Sequence, residues 1–362
     1  MNFDLSEEQE LFRSSVERFT ASMDGAARRR LRTEPGGYSR ERWTQLAELG
    51  LLALAASEDA GGMGGSPVDL VVVAEALGKA NAPDPWIENG ILPVALLAAA
   101  GRPADLATAM TGERFFAFAF AERGQRYNLV PKSVTARSAN GGYALNGEKT
   151  FVLGGAQADT FIVSAVLEGQ AAYFLVPADA SGLAARPYRI ADGSLACELR
   201  LTHVAVTPED RLELDSGQIA EAIALVRLLA AAEMLGLAQR LFDDTLAYVK
   251  QREQFGVPIG SFQALQHRLV DCYAALEQSR SIVLRAALVD EPGTNGRIRA
   301  AAGAKAFVAT QADLIAREAV QMHGGMGVTD ELAIGHAMKR VLMLAKLFGD
   351  EETALAEYAV AA

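Results

Sequence analysis

The 362-residue chain is 50% hydrophobic and carries a formal net charge of −11. That length allows one large core or a division into domains, and the even mixture of apolar and charged residues excludes a disordered chain. Net acidity without Lys/Arg clusters argues against nucleic acid or an anionic membrane surface as the main partner, and favours a small molecule or another protein.

The opening Met1-Asn2-Phe3-Asp4-Leu5-Ser6-Glu7-Glu8 has no basic or apolar targeting region, and the two cysteines, Cys197 and Cys272, lie far apart. A reduced, cytoplasmic protein is expected. The most apolar windows, Ile91 to Ala100 and Ile223 to Ala232, run about ten residues, well short of the roughly 20 that span a bilayer, so no membrane insertion is expected.

From Ser6 to about Arg114 apolar residues recur at helical spacing (Leu11, Phe12, Val16, Phe19), with helix starts at Ser39 and at Ser66-Pro67. The glycine-rich loop Gly61-Gly62-Met63-Gly64-Gly65 reads equally as a connector or as a substrate-facing loop. From Phe115 the period becomes two: Phe116 to Phe120, Tyr143 to Leu145, Phe161 to Ser164, Ala172 to Val176 and Glu198 to Leu201, separated by turn signals such as Asn146-Gly147. From about Ser216 four long helical runs follow: to Gln251, from Phe262 to about Val289, from Arg297 to Met322, and from Glu331 to Leu347. The fold expected is α+β multidomain: an N-terminal α-helical domain over 1–114, a middle antiparallel β-barrel or sandwich over 115–212, and a C-terminal four-helix bundle over 213–362.

The four histidines sit in separate segments, no Cys/His/Asp spacing fits a metal, and Gly324-Gly325-Met326-Gly327 follows a helix rather than a strand. No metal site is expected, and the glycine run does not fit a Rossmann or P-loop reading. Arg252, just after a long helix, could cap the last carbonyls or clamp a phosphate.

The run Arg252-Glu253-Gln254-Phe255-Gly256, its following turn to Phe262-Gln263, and Gln321-Met322-His323-Gly324-Gly325 resemble the cofactor-contacting turns of the acyl-CoA dehydrogenase family. The landmarks Asp4 to Gln9, Gly61 to Gly65, Leu145 to Lys149 and Gly236 to Arg240 extend the resemblance over nearly the full length. It implies FAD as cofactor, an acyl-CoA substrate, an electron-transferring flavoprotein as acceptor and a tetrameric assembly. It also implies that Arg252, Phe255, Gln263, Gln321, Gly324 and Gly325 approach the FAD dinucleotide across a subunit interface, and that Arg227 faces substrate.

The reaction needs a carboxylate to remove the proton α to the thioester. In most relatives this Glu lies in a turn after the last bundle helix, where this chain has Gly349, and in a minority it precedes an Arg, where this chain has Val226 before Arg227. Asp350 and Glu233 are the nearby acids, each a candidate base and each open to a structural reading. On the flavin-facing strands Glu122 is kept, but Phe151 stands for the usual Trp and Leu153 for the usual Thr. Residues reaching a neighbour's FAD are thus kept while those of the chain's own site are altered, the pattern of the small subunits of two-gene α2β2 dehydrogenases acting on pimeloyl-CoA or steroid-derived thioesters. The alternatives are a competent homotetramer with a relocated base and a non-catalytic flavin-binding paralogue.

Overall fold

The computed structural model describes residues 4–23, 25–31, 38–289 and 294–360. Helices come first: α1 Glu7–Thr20, α2 Gly25–Leu31, α3 Arg40–Glu48, α4 Pro67–Lys79, α5 Leu92–Ala99 and α6 Pro103–Met110, with a π-helical turn at Trp86–Ile91. Strands follow: β1 Phe116–Ala119, β2 Thr135–Ala139, β3 Gly142–Leu153, β4 Thr160–Leu167, β5 Gln170–Pro177, β6 Leu183–Arg189, β7 Leu195–Val206 and β8 Arg211–Leu212. The last part holds α7 Ser216–Gln251, a hairpin of β9 Glu253–Gln254 and β10 Val257–Pro258, then α8 Gln263–Ala287, α9 Thr294–His323, α10 Ala333–Lys346 and α11 Glu351–Val360.

Two compact units result. One gathers Met1–Arg30, Ser66–Ala82 and Arg227–Ala362; the other gathers Leu31–Gly65 and Pro83–Val226. The helix starts follow capping chemistry: Ser6 and Gln9 form a reciprocal capping box on α1, and Ser66 and Asp69 another on α4, with Pro67 opening the helix. Gln9 Nε2 then donates to Asp69 Oδ1 at 2.9 Å and ties α1 to α4. In the same unit α4 and α7 meet backbone to backbone. A Cβ on Gly78 would lie 2.1 Å from the Glu233 carbonyl, and one on Gly236 would lie 2.0 Å from that of Glu75, so only glycine allows this approach. Arg280 of α8 pins the crossing through Glu75 Oε1 at 2.5 Å and Gln239 Oε1 at 2.8 Å.

The other unit is built around one eight-stranded sheet, order β6-β7-β3-β2-β4-β5-β8, with β1 also pairing β4. Alternation located the strands at 116, 143, 161, 172 and 198, but passed over β2, whose residues are mostly exposed, and β6, which contains Pro187. The sheet is also mixed rather than purely antiparallel: β1 and β2 both run parallel to β4. A parallel pairing requires a long return, which the stretches between these strands supply. Asn89, on the π-helical turn, donates to the Phe116 and Leu153 carbonyls at 3.0 and 3.1 Å, fastening that turn to β1 and β3.

Candidate functional site

The turn between α10 and α11 carries the position at which the family's base is expected. It is held by cations. Arg227, 5% exposed on α7, donates from Nε and Nη2 to the Phe348 carbonyl at 2.8 and 2.6 Å, and Nη2 reaches Glu357 Oε1 of α11 at 3.0 Å. Lys305 of α9 is fully buried and donates to the Ala345 and Gly349 carbonyls, both at 3.0 Å. Burial pushes the Lys305 ammonium down to about 7, and repulsion from Arg227 and Lys346 adds to that, against a smaller opposing pull from Asp350.

Gly349 has φ +130°, a backbone conformation suited to glycine. A Cβ there would lie 3.1 Å from Arg227 Nη2. A side chain at 349 would therefore meet both that positive φ and a tight contact, with the guanidinium having to give by a few tenths of an ångström. Asp350 accepts from the Thr353 amide at 3.0 Å and from its hydroxyl at 2.7 Å, which makes it the cap of α11. Glu233 is 6% exposed, and both of its oxygens are held by Arg340 of α10, Nε to Oε1 at 2.6 Å and Nη2 to Oε2 at 3.0 Å. A general base needs a lone pair free to take a proton, and this bidentate clamp engages both oxygens. Val226 is buried and carries no acid.

The other predicted residues gather at one end of the helical unit. Val249, Leu269 and Met322 form a small core there, packed by Ile259 and Leu265, so that α7, α8 and α9 converge. Arg252 follows α7 directly, and its exposed guanidinium makes no ion pair or hydrogen bond among the described residues. The hairpin turns on Phe255 and Gly256, with φ +55° and +81°, values that fit a two-residue type I′ connection. Phe255 is 93% exposed, an unusual setting for a phenyl ring and a strained backbone for a non-glycine residue. Gln263 and Gln321 are exposed as well. Gly324, at φ +59°, and Gly325 have nothing within 4 Å of a built Cβ, leaving an open backbone edge.

On the sheet, Glu122 works inside the fold. It accepts from the amides of Lys132, Ser133 and Val134 at 2.9, 2.7 and 3.1 Å and from Lys149 Nζ at 2.9 Å. Lys149 also donates to Ser164 Oγ at 2.8 Å. Burial alone would raise the Glu122 carboxyl, but Lys149 and the Ser133 and Lys132 amides outweigh it and hold it at about 2. Phe151, at φ +54° beside the irregularity in the β3·β7 pairing, leaves its ring 45% exposed, and Leu153 offers no side-chain donor.

Three family profiles match the chain: the acyl-CoA dehydrogenase N-terminal domain over residues 6–105, the middle domain over 117–204 and the C-terminal domain over 216–361. The chain belongs to the acyl-CoA dehydrogenase family. It is accordingly an oxidoreductase of the CH–CH bond, and its cofactor is FAD. The acyl-CoA dehydrogenase IpdE2 of Mycobacterium tuberculosis is 32% identical over 90% of this chain and 88% of that protein. A chain of the ChsE4-ChsE5 complex from the same organism is 28% identical with a TM-score of 0.88, covering 99% of this chain and 98% of that one. A chain from a structure of the electron transferring flavoprotein of Acidaminococcus fermentans is 25% identical with a TM-score of 0.91, covering 100% and 99%.

The donors at the helix ends fit an acyl-CoA dehydrogenase's FAD. Arg252, exposed and without an ion pair among the described residues, suits a diphosphate, the projecting Phe255 suits stacking, and the open Gly324-Gly325 edge lets a backbone approach a dinucleotide. The strand side chains fit less well, since Glu122 is spent on the fold and Leu153 cannot donate.

Sequence reasoning passed over Lys305, Arg340 and Glu357, which fix the turn and Glu233. Lys305 had a signal, because a lysine among Ala301, Ala302, Ala304, Ala306, Val308 and Ala309 interrupts an otherwise apolar run. Arg340 and Glu357 had none, since their partners are 107 and 130 residues away. Among the described residues no helix is long and apolar enough to cross a membrane, and no group of His, Cys, Asp and Glu could hold a metal ion. Cys197 and Cys272 are free and buried.

Proposed function

We propose that this chain is one subunit of a hetero-oligomeric, FAD-dependent acyl-CoA dehydrogenase, contributing half of an FAD site while a larger paralogous subunit carries the catalytic base. The observation that carries the reading is the contrast between the exposed Arg252 and Phe255 and the crowded turn at Gly349, where Arg227 Nη2 would lie 3.1 Å from a Cβ. Arg252, Phe255, Gln263, Gln321, Gly324 and Gly325 would hold the dinucleotide across the interface. Glu233 serves as the buried partner of Arg340, Asp350 as a helix cap, and Arg227, expected to face substrate, as a brace of the turn through Phe348 and Glu357.

Supporting the assembly, one similar structure is of a ChsE4-ChsE5 complex, and another is of an electron transferring flavoprotein, the class of acceptor proposed for the reduced flavin. The substrate would be an acyl-CoA thioester, its α-proton taken by the larger subunit's base, and the FAD held at the interface would supply the hydride acceptor. The division 1–114, 115–212 and 213–362 into helical, β and helical domains is supported by the three matched segments. The test is flavin content of the protein expressed alone and together with a longer paralogue. The chain alone should retain little FAD and give no turnover, and the mixed complex should do both. Full occupancy with turnover in the lone chain would overturn the reading in favour of a competent homotetramer.

A further inference from the structure

A cavity lies between α8, α9 and α11. Its volume is about 510 Å³ and its walls are largely apolar, with Ala286 and Val289 from α8, Ala300 and Phe307 from α9, and Leu355 from α11. The lining runs along α9 from Gly296 to Gln311, about 22 Å at 1.5 Å per residue, so the space is elongated. Its volume falls in the range of small-molecule sites.

Two arginines line it. Neither Arg285 nor Arg299 has an ion pair among the described residues, although the protein as a whole is strongly acidic. Arg299 is positioned: its guanidinium carbon sits 4.8 Å over the Tyr358 ring centroid, and its Nε is buried with no hydrogen-bond acceptor. Tyr358 can take that place because residue 303 is glycine, a Cβ there lying 2.8 Å from the ring. Glu351 is the sole acid among the lining residues.

We infer that this cavity binds an elongated apolar carboxylic acid, its carboxylate on Arg299 and Arg285 and its chain along Phe307 and Ala300. A guanidinium preorganised over an aromatic ring matches a carboxylate, and an elongated apolar wall matches an unbranched chain better than a compact polar ligand. The site borders the Gly349 turn at Glu351 but is lined by none of the residues of the Arg252 end, and does not depend on where the FAD site is completed.

The experiment is calorimetric titration of the purified full chain, alone and in the co-expressed complex, with dodecanoate and separately with dodecanol. Dodecanoate should bind at one site per chain in at least one of the two preparations. Arg299→Met should weaken it by about tenfold or more, the loss expected of a charge-assisted hydrogen bond, and Ala300→Trp should abolish it by filling the cavity. Arg299→Met alters a half-buried position and should leave the melting temperature near that of the parent, so its loss of binding does not reflect unfolding. Absence of binding in both preparations, undiminished binding in both variants, or equally tight binding of dodecanol would each overturn the assignment.

Discussion

Arg340 holds both carboxylate oxygens of Glu233, Nε on Oε1 at 2.6 Å and Nη2 on Oε2 at 3.0 Å, with both side chains nearly buried. This joins α7 to α10 at the first acid that follows Val226 on α7. Removing one partner of a buried pair leaves the other charge uncompensated, so Glu233→Gln should lower unfolding free energy by about 3 to 5 kcal/mol. Urea denaturation of the single variants and of the double variant Glu233→Gln/Arg340→Met reads it. The double variant should recover part of the loss. A catalytic base would behave differently, with stability nearly unchanged and turnover of the complex lost.

Gly349→Glu restores the usual acid by name but not by geometry. The φ of +130° is strained for any residue with a Cβ, and Arg227 Nη2 already stands 3.1 Å from that atom. The variant should lose about 1 to 3 kcal/mol of stability through that strain. The lone chain should remain unable to bleach added FAD with acyl-CoA. Flavin bleaching by the isolated variant would show that the turn can accept a working carboxylate.

What the sequence could reveal divides along physical lines. Capping boxes at Ser6 and Ser66, the long helical periods and the Arg252 to Gln263 run are local signals, and each lies in a helix or turn of the expected kind. Strand β2 escaped because its exposed residues do not alternate, and the parallel pairing of β1 and β2 with β4 escaped because register between distant strands is not written locally. The candidate site shows the same split. That residues 226 and 349 lack a carboxylate was readable, but the crowding of the Gly349 turn by Arg227, and the capture of Glu233 by Arg340, depend on contacts more than 100 residues apart.

Lys305 should give the protein an uncommon alkaline response. Its folded value is about 7 against an ordinary 10.5, so below pH 7 both states are protonated and the burial penalty is fully present. Between about 7 and 10.5 the unfolded state binds more protons, and this group's contribution to stability rises with pH. Comparing urea midpoints of the parent and Lys305→Met across that window isolates it: the parent should gain stability relative to the variant as pH rises. Parallel curves would count against the buried ammonium.

Glu122 acts at the acid end. Held at about 2 in the fold against an ordinary 4.5, its contribution is complete above pH 4.5 and fades as pH falls toward 2. Glu122→Gln leaves Lys149 buried without its counter-charge, a loss of about 3 to 5 kcal/mol at neutral pH. The gap between parent and variant should narrow on acidification in thermal melts. A gap independent of pH would mean that Glu122 acts through shape alone.

Arg252 separates cofactor binding from folding. Its guanidinium is exposed and makes no ion pair or hydrogen bond among the described residues, so Arg252→Gln should change the chain's own stability by less than about 0.5 kcal/mol, as is usual for surface substitutions. If it clamps the FAD diphosphate in the complex, the same change removes a charge-assisted bidentate contact and should weaken FAD retention by about tenfold or more. Arg252→Lys should rescue this only in part, because an ammonium lacks the planar fork. Flavin absorbance after dialysis of the co-expressed complex, set beside thermal melts of the lone variant, reads both effects. Unchanged retention with unchanged melting would place the FAD contact elsewhere and leave Arg252 as a solvated surface cation.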